Sequence, residues 1–290
     1  MSITFKHKMV WLKNKYLLLL LPFWLHSCSI CSHSSSKVSD AETSIIGDVR
    51  SQSKLAPQHS LLTVGYPVIS DTISSQILNR ICYTLSYNSK TRQPNWVMWK
   101  LMGEHIMSRQ EGVWNEYHED LSIKEEYRGT IADYYNSGYD RGHMCPGGDC
   151  NWNSEGRDET FLLSNMCPQN PNLNRGDWKE IEIACRKWAQ KYGHLYIVCG
   201  PIFFKSQTHV MIGDNRMPVP EAFFKVVLCL DQSSPKGIGF ICRNTDGNRK
   251  KDFYVNTIRQ VERVMGYKFF PNLSDSVRDI VLDMSDINEW

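Results

Sequence analysis

The sequence predicts an α+β domain built on a mostly antiparallel sheet flanked by helices. Two observations carry this: strand-like runs that return on one another through turns, and two helix-like stretches set between and after them. The 290-residue chain is long enough for one large core, and its 41% hydrophobic and 22% charged residues are ordinary for a globular protein. Thirteen Tyr, eleven Phe and nine Trp argue against disorder.

The first element is a hairpin. Ile81–Tyr87 alternates with a two-residue period, Asn88–Pro94 reads as a turn, and Trp96–Leu101 returns. Residues 103–138 are polar and mixed, with no long element expected. Thr160–Leu163 reads as a short strand delivering Asn165 to its end. The clearest helix starts at Asn174, with Asn174 as N-cap and Asp177 in the first turn. It runs to about Tyr192 and stops at Gly193. Trp178, Ile181, Cys185, Trp188 and Ala189 form its apolar stripe, and Glu182 and Arg186 sit one turn apart on its flank. Leu195–Cys199, Phe223–Cys229 and Ile238–Cys242 are further strands. Asp252–Met265 is a second helix anchored by Phe253, Ile258, Val261 and Val264.

The N-terminus reads as an address. Lys6, Lys8, Lys13 and Lys15 precede the apolar run Tyr16–Trp24, which is shorter than the ~20 residues a spanning helix needs. Leu25-His26-Ser27-Cys28 resembles a bacterial lipobox, so residues 1–27 are expected to be a signal peptide. Cys28 would then be acylated, making the protein an exported one held on a bacterial membrane by lipid. The serine-rich residues 28–60 read as a flexible linker and 61–290 as the folded domain. Without residues 1–27, the 33 basic residues fall to 29 against 31 acids, near −2, so no overall charge draws the domain to nucleic acid. Any such pull is local, and Asn248-Arg249-Lys250-Lys251 is the candidate.

The chemistry concentrates in two polar runs, Tyr139–Asp149 and Leu163–Asn174. In Asp140-Arg141-Gly142-His143 the imidazole is a proton acceptor near neutral pH, and the neighbouring guanidinium suits a phosphate. Asn174 offers a hard carbonyl oxygen fit for Mg²⁺, and Glu182 and Arg186 lie on the helix that follows. Taken singly, each has a bland reading: a turn with an ion pair, a helix cap, an exposed pair one turn apart.

In combination the motifs resemble the DNA/RNA non-specific endonuclease family, the Serratia-type and endonuclease G-like ββα-metal nucleases. They are Asp140-Arg141-Gly142-His143-Met144-x-Pro146-x-x-Asp149, Thr160-Phe161-x-Leu163-Ser164-Asn165-Met166-x-Pro168-Gln169 and Asn174-x-x-x-Trp178. Asn95-Trp96-Val97, Gly200-Pro201-Ile202 and Val219-Pro220-x-Ala222-Phe223-Phe224-Lys225-Val226 extend the resemblance, which runs from about Ile81 to Met265. It implies the ββα-metal fold and phosphodiester hydrolysis of DNA and RNA to 5′-phosphate ends. It implies His143 as general base and Asn174 as the direct ligand of a single Mg²⁺, with Mn²⁺ as substitute. Glu182 would act on the metal through water, Arg141 and Arg186 on the transition state, and Asn165 near the phosphate. Arg109, Asp140 and Gln169 are the expected substrate contacts.

Cys145, where the family more often has Ala, and Cys150 depart from the pattern. With Cys167 they admit a disulfide (Cys145–Cys150 or Cys145–Cys167), buried free thiols or, less readily, a zinc cluster with His143. Two other functions stay open: a small-nucleotide phosphodiesterase and a catalytically silent nucleic-acid-binding surface lipoprotein. The oligomeric state is not written in the sequence, and a homodimer is one arrangement open to it.

Overall fold

A computed structural model describes residues 58–290 except 109–115, 205–207, 231–233 and 246. Its centre is a seven-stranded antiparallel sheet in the order β1-β2-β3-β6-β9-β10-β11. The strands are β1 (Gln76–Asn79), β2 (Thr84–Asn88), β3 (Gln93–Met102), β6 (His194–Ile202), β9 (Ala222–Cys229), β10 (Lys236–Arg243) and β11 (Val255–Asn256). Both edges are short, which limits the unpaired backbone that a sheet edge presents. Two smaller pairs complete the β-structure: β4 (Asp140–His143) with β5 (Met166–Gln169), and β7 (Met211–Ile212) with β8 (Met217–Pro218).

The sheet's central strands are buried on both faces because both are covered. Alternate residues of β3 and β6 (Val97, Trp99, Ile197, Cys199) pack beneath α5 (Lys179–Tyr192) through Trp178, Ile181, Cys185 and Trp188. The intervening residues (Trp96, Met98, Val198), with Val226 of β9, meet Ile258 and Val261 of α6 (Ile258–Met265) and Val281 of α7 (Asp275–Val281). The remaining helices are short: α1 (Gln58–Leu62), α2 (Gly103–Ile106), α3 (Ser154–Glu159) and α4 (Pro171–Leu173). Helix α1 crosses the boundary expected at residue 61. The signal peptide, Cys28 and nearly all of the linker lie outside the described residues.

The predicted hairpin, the strands after Leu195 and the stop at Gly193 are present, Gly193 taking φ +85° as a helix C-cap. Three elements differ. Residues 160–163 are not a strand; β5 comes after Asn165, and Pro168 is tolerated because β5 pairs on one side only, with β4. The second helix begins at Ile258, capped by a reciprocal Thr257–Gln260 box, not at Asp252. Phe253 is consequently exposed, at 69%, and anchors nothing in the core. Asn174 does not cap a helix: the Asn170 side chain accepts from the Asn172 and Leu173 N–H groups, and Asn174 opens a π turn, Asn174–Trp178, between α4 and α5.

Candidate active site

Strands β4 and β5 pair in the register Asp140↔Gln169, Arg141↔Pro168, Gly142↔Cys167 and His143↔Met166. Gly142 has to be glycine, since a Cβ there would lie 2.2 Å from Gln169 Oε1 and 2.6 Å from its Cβ. Two residues apart on one strand, Arg141 and His143 share a face and also an aromatic neighbour. The Arg141 guanidinium lies 4.5 Å from the Tyr117 ring centre, and the His143 imidazole 5.8 Å from it and 4.8 Å, edge-on, from Phe161. Burial, helped by the positive charge of Arg157, lowers the His143 pKa to about 4, so the imidazole is the free base at neutral pH. His143 Nε2 and Arg141 Nε are enclosed without a hydrogen-bond partner among the described residues. Two such atoms on residues of one strand face mark a place where bonds are left for something to bind.

The other half of the site is held to this strand by Asp140. Its Oδ2 accepts from Asn174 Nδ2 at 2.9 Å and Arg175 Nε at 2.8 Å, while Oδ1 accepts from Arg175 Nη2 at 2.7 Å. With Nδ2 so engaged, the orientation of the Asn174 amide is set, and no described residue donates to its Oδ1. The π turn lets Asn174 project there: Gly176 leaves helical geometry at φ −108°, ψ −107°. Buried Asp177, in the same turn, accepts from the Arg249 N–H at 3.1 Å and from the Tyr254 hydroxyl.

Glu182 and Arg186 follow on α5. Burial raises the Glu182 carboxyl to about 7, against the lowering influence of Lys225. No hydrogen bond from a described residue engages it. Arg186 is committed: its Nη1 donates to Asp149 Oδ1 at 2.8 Å, and Trp99 Nε1 donates to Asp149 Oδ2 at 3.0 Å. Burial raises the Asp149 carboxyl, with Arg186 opposing that shift.

The donor set fits a hard divalent cation. An amide oxygen oriented from behind by a carboxylate, and a second carboxylate with no protein partner, are oxygen ligands of the kind Mg²⁺ takes with waters retained. Among the described residues no three His, Cys, Asp or Glu converge on a metal position, so Cys145, Cys150 and Cys167 form no zinc cluster with His143. All three cysteines are buried free thiols, Cys145 Sγ lying 3.9 Å from Cys150 Sγ, and neither disulfide is formed. Burial moves the Cys145 thiol up to about 11.

Three expected contacts are reassigned. Asn165 does not face a phosphate: its Oδ1 accepts from the Cys145 N–H at 2.9 Å, and both Nδ2 hydrogens go to the Cys145 and Thr160 carbonyls at 2.8 Å. Its amide is spent as a buried clamp on the chain after His143. Gln169 is wholly buried beneath Gly142, away from any substrate surface. Asp140 positions Asn174 and Arg175 and is not placed as a substrate contact. Arg109 lies outside the described residues. The sequence reading missed Asp149 as the partner of Arg186. It also missed Lys225, whose signal was one cation inside the apolar run Phe223–Cys229.

The profile of the DNA/RNA non-specific endonuclease family matches residues 62–276. The chain belongs to that family. It is therefore a phosphodiester hydrolase of the endonuclease class. Mitochondrial endonuclease G of Bos taurus is 31% identical over 210 residues, covering 69% of this chain and 70% of the relative. Mitochondrial nuclease EXOG of Mus musculus is 30% identical over 256 residues, covering 83% and 67%. Among solved structures, that of an EndoG/EndoGI complex superposes with a TM-score of 0.70 at 26% identity, over 76% of this chain and 94% of that one. The fold is thus the ββα-metal nuclease type. These relatives, with the mitochondrial nucleases of Saccharomyces cerevisiae and Schizosaccharomyces pombe, overturn the expectation of an exported protein lipid-anchored to a bacterial membrane. A basic, acid-free, partly apolar N-terminus is common to several kinds of targeting segment, so its lysines and leucines did not discriminate among them. Among the described residues no helix is long and apolar enough to cross a membrane.

Proposed function

We propose that the chain cuts DNA and RNA without regard to sequence or sugar, with His143 as general base and one Mg²⁺ (or Mn²⁺) held through Asn174 and, by way of water, Glu182. The observation that carries this is a sheltered, neutral imidazole on the same strand as Arg141 and Asp140, the latter bonded to the metal-ligand candidate Asn174.

His143 takes a proton from a water whose oxygen attacks phosphorus. The bond to the 3′-oxygen then breaks, leaving a 5′-phosphate and, once that oxygen is protonated, a 3′-hydroxyl. A base of pKa near 4 is weak, but burial beside cations depresses it only while no anion is present; a bound phosphodiester raises it toward the working range. Arg141, stacked on Tyr117, and Arg186, held by Asp149, carry fixed positive charge toward the phosphoryl oxygens. Asn174 and, through water, Glu182 would hold the divalent ion, which would supply positive charge to offset that developing on the leaving oxygen. Backbone contacts of this kind carry no base information, which supports indifference to sequence.

Plasmid DNA and RNA digested with Mg²⁺ and with EDTA, by wild type and His143→Ala, test the reading. We expect cutting by wild type with Mg²⁺ only, and at least a hundredfold loss in the variant. Equal cleavage in all four conditions would remove His143 and the metal from the mechanism. Hydrolysis of a dinucleotide without cleavage of long DNA would favour a small-nucleotide phosphodiesterase. Binding without cleavage of any substrate would favour a silent binding protein.

A further inference from the structure

Lys225 is 1% exposed, on the face of β9 that lies beneath α5, and no salt bridge among the described residues pairs it. Its Nζ stands between two indoles, 4.3 Å from the ring centre of Trp178 and 5.1 Å from that of Trp99. Burying a lysine is costly unless its charge is compensated. Two aromatic faces supply part of that compensation, each worth more when desolvated than at a surface. Burial would lower its pKa, yet the surrounding Cys199, Glu182, Cys185 and Asp149 raise it above the ordinary lysine value. The ammonium stays charged.

Each indole leads to one half of the active site. Trp99 donates from Nε1 to Asp149, whose other oxygen holds Arg186. Trp178 closes the π turn that begins at Asn174. Its own Nε1 has no hydrogen-bond partner among the described residues, so that ring is held by core packing, including Phe223 at 5.7 Å between ring centres, and by the ammonium. Lys225 and Arg186 lie among the carboxyls of Glu182 and Asp149, whose ionised forms both cations favour against burial. Packing alone would be served as well by an apolar side chain of the same length.

We propose that Lys225 is a positioning residue for the nuclease reaction, its ammonium pinning Trp99 and Trp178 so as to fix Arg186 through Asp149 and the turn that carries Asn174. The proposal rests on the nuclease reading above. It separates charge from volume, which Lys225→Met and Lys225→Arg distinguish. Methionine keeps the length and apolar stem, so its thermal midpoint is expected to equal or exceed that of wild type. Its kcat is expected to fall about 10- to 100-fold with KM little changed, the scale of a displaced catalytic group. Arginine, still charged and able to stack on indole, is expected to recover at least half of that loss on a logarithmic scale. In EDTA, the near-UV circular dichroism of the tryptophans should change in Lys225→Met and return in Lys225→Arg. A Lys225→Met enzyme with kcat within twofold of wild type, or equal impairment of both variants, would overturn the proposal. Should Lys225→Met not fold, Trp99→Phe keeps a ring face and removes the bond to Asp149; unchanged kcat there would overturn it as well. A wild-type protein that cuts nothing would fail the nuclease reading itself, a result distinct from any of these.

Discussion

His143 shows how one residue's surroundings decide both its chemistry and its effect on stability. Its pKa is about 4 in the folded protein and near 6.5 when unfolded, so between those values the unfolded chain binds the extra proton. Stability from this site is therefore complete above pH 6.5 and is lost as pH falls toward 4. His143→Asn removes that dependence. Denaturant unfolding of both proteins should show wild type losing roughly 1–3 kcal/mol more than the variant between pH 7 and 4; parallel curves would contradict the depressed pKa. The residue types here were legible in the sequence because Asp-Arg-Gly-His stands in combination with Asn165, Asn174, Glu182 and Arg186; alone it reads as well as a turn with an ion pair. What each polar neighbour does was not. Asn165 and Gln169 carry the same side chains whether they face a phosphate or the interior, and only the hydrogen bonds to Cys145 and Thr160 and the contact with Gly142 decide between them.

At the scale of elements, the site exists because β4 and the π turn are joined through Asp140. Periodicity placed the body of helix α5, its end at Tyr192 and the stripe Ile181, Cys185, Trp188 and Ala189, since a helix on a sheet must bury one face. It could not reveal the π turn. Asn174 sits where a cap would sit, and the departure depends on Gly176 leaving helical geometry. Nor could it stop the second helix short of Asp252, because Phe253 and Tyr254 look apolar whichever way they point. The joint makes a measurable prediction. Asp140→Ala leaves the Asn174 amide and the Arg175 fork without their acceptor. The Mg²⁺ concentration for half-maximal cleavage should rise about 10- to 100-fold, as it does when a partner behind a metal ligand is lost, with much of kcat returning at saturating Mg²⁺. An unchanged Mg²⁺ dependence would mean that Asp140 does not orient a metal ligand.

Over the whole molecule, the sheet and its two covered faces followed from runs of apolar residues, whereas cellular destination did not follow from the N-terminal charges. Charge raises one further question, how a domain with slightly more acids than bases holds a polyanion. We propose that the loop Gly247–Tyr254 answers it locally. Arg249 and Lys250 are exposed, the Arg249 guanidinium lies 5.4 Å from the exposed Phe253 ring, and with Asn248 and Asp252 they line a shallow cavity of about 470 Å³. Asp177 ties this loop to the turn that carries Asn174, through the Arg249 N–H and the Tyr254 hydroxyl. A strand bound at the proposed site and running over this loop would meet cations and a ring tied to the same turn, an arrangement that suits backbone and base contact together. Each phosphate neutralised on a single strand contributes about −0.7 to the slope of log K against log salt. The double variant Arg249→Ala/Lys250→Ala, titrated with single-stranded oligonucleotide in EDTA, should therefore bind more weakly, with a slope shallower by about 1–1.5. Its loss of kcat/KM should be larger on long DNA than on a dinucleotide, because only the longer substrate reaches the loop. A slope equal to that of wild type would place the phosphate contacts elsewhere and leave the loop no part in holding the strand.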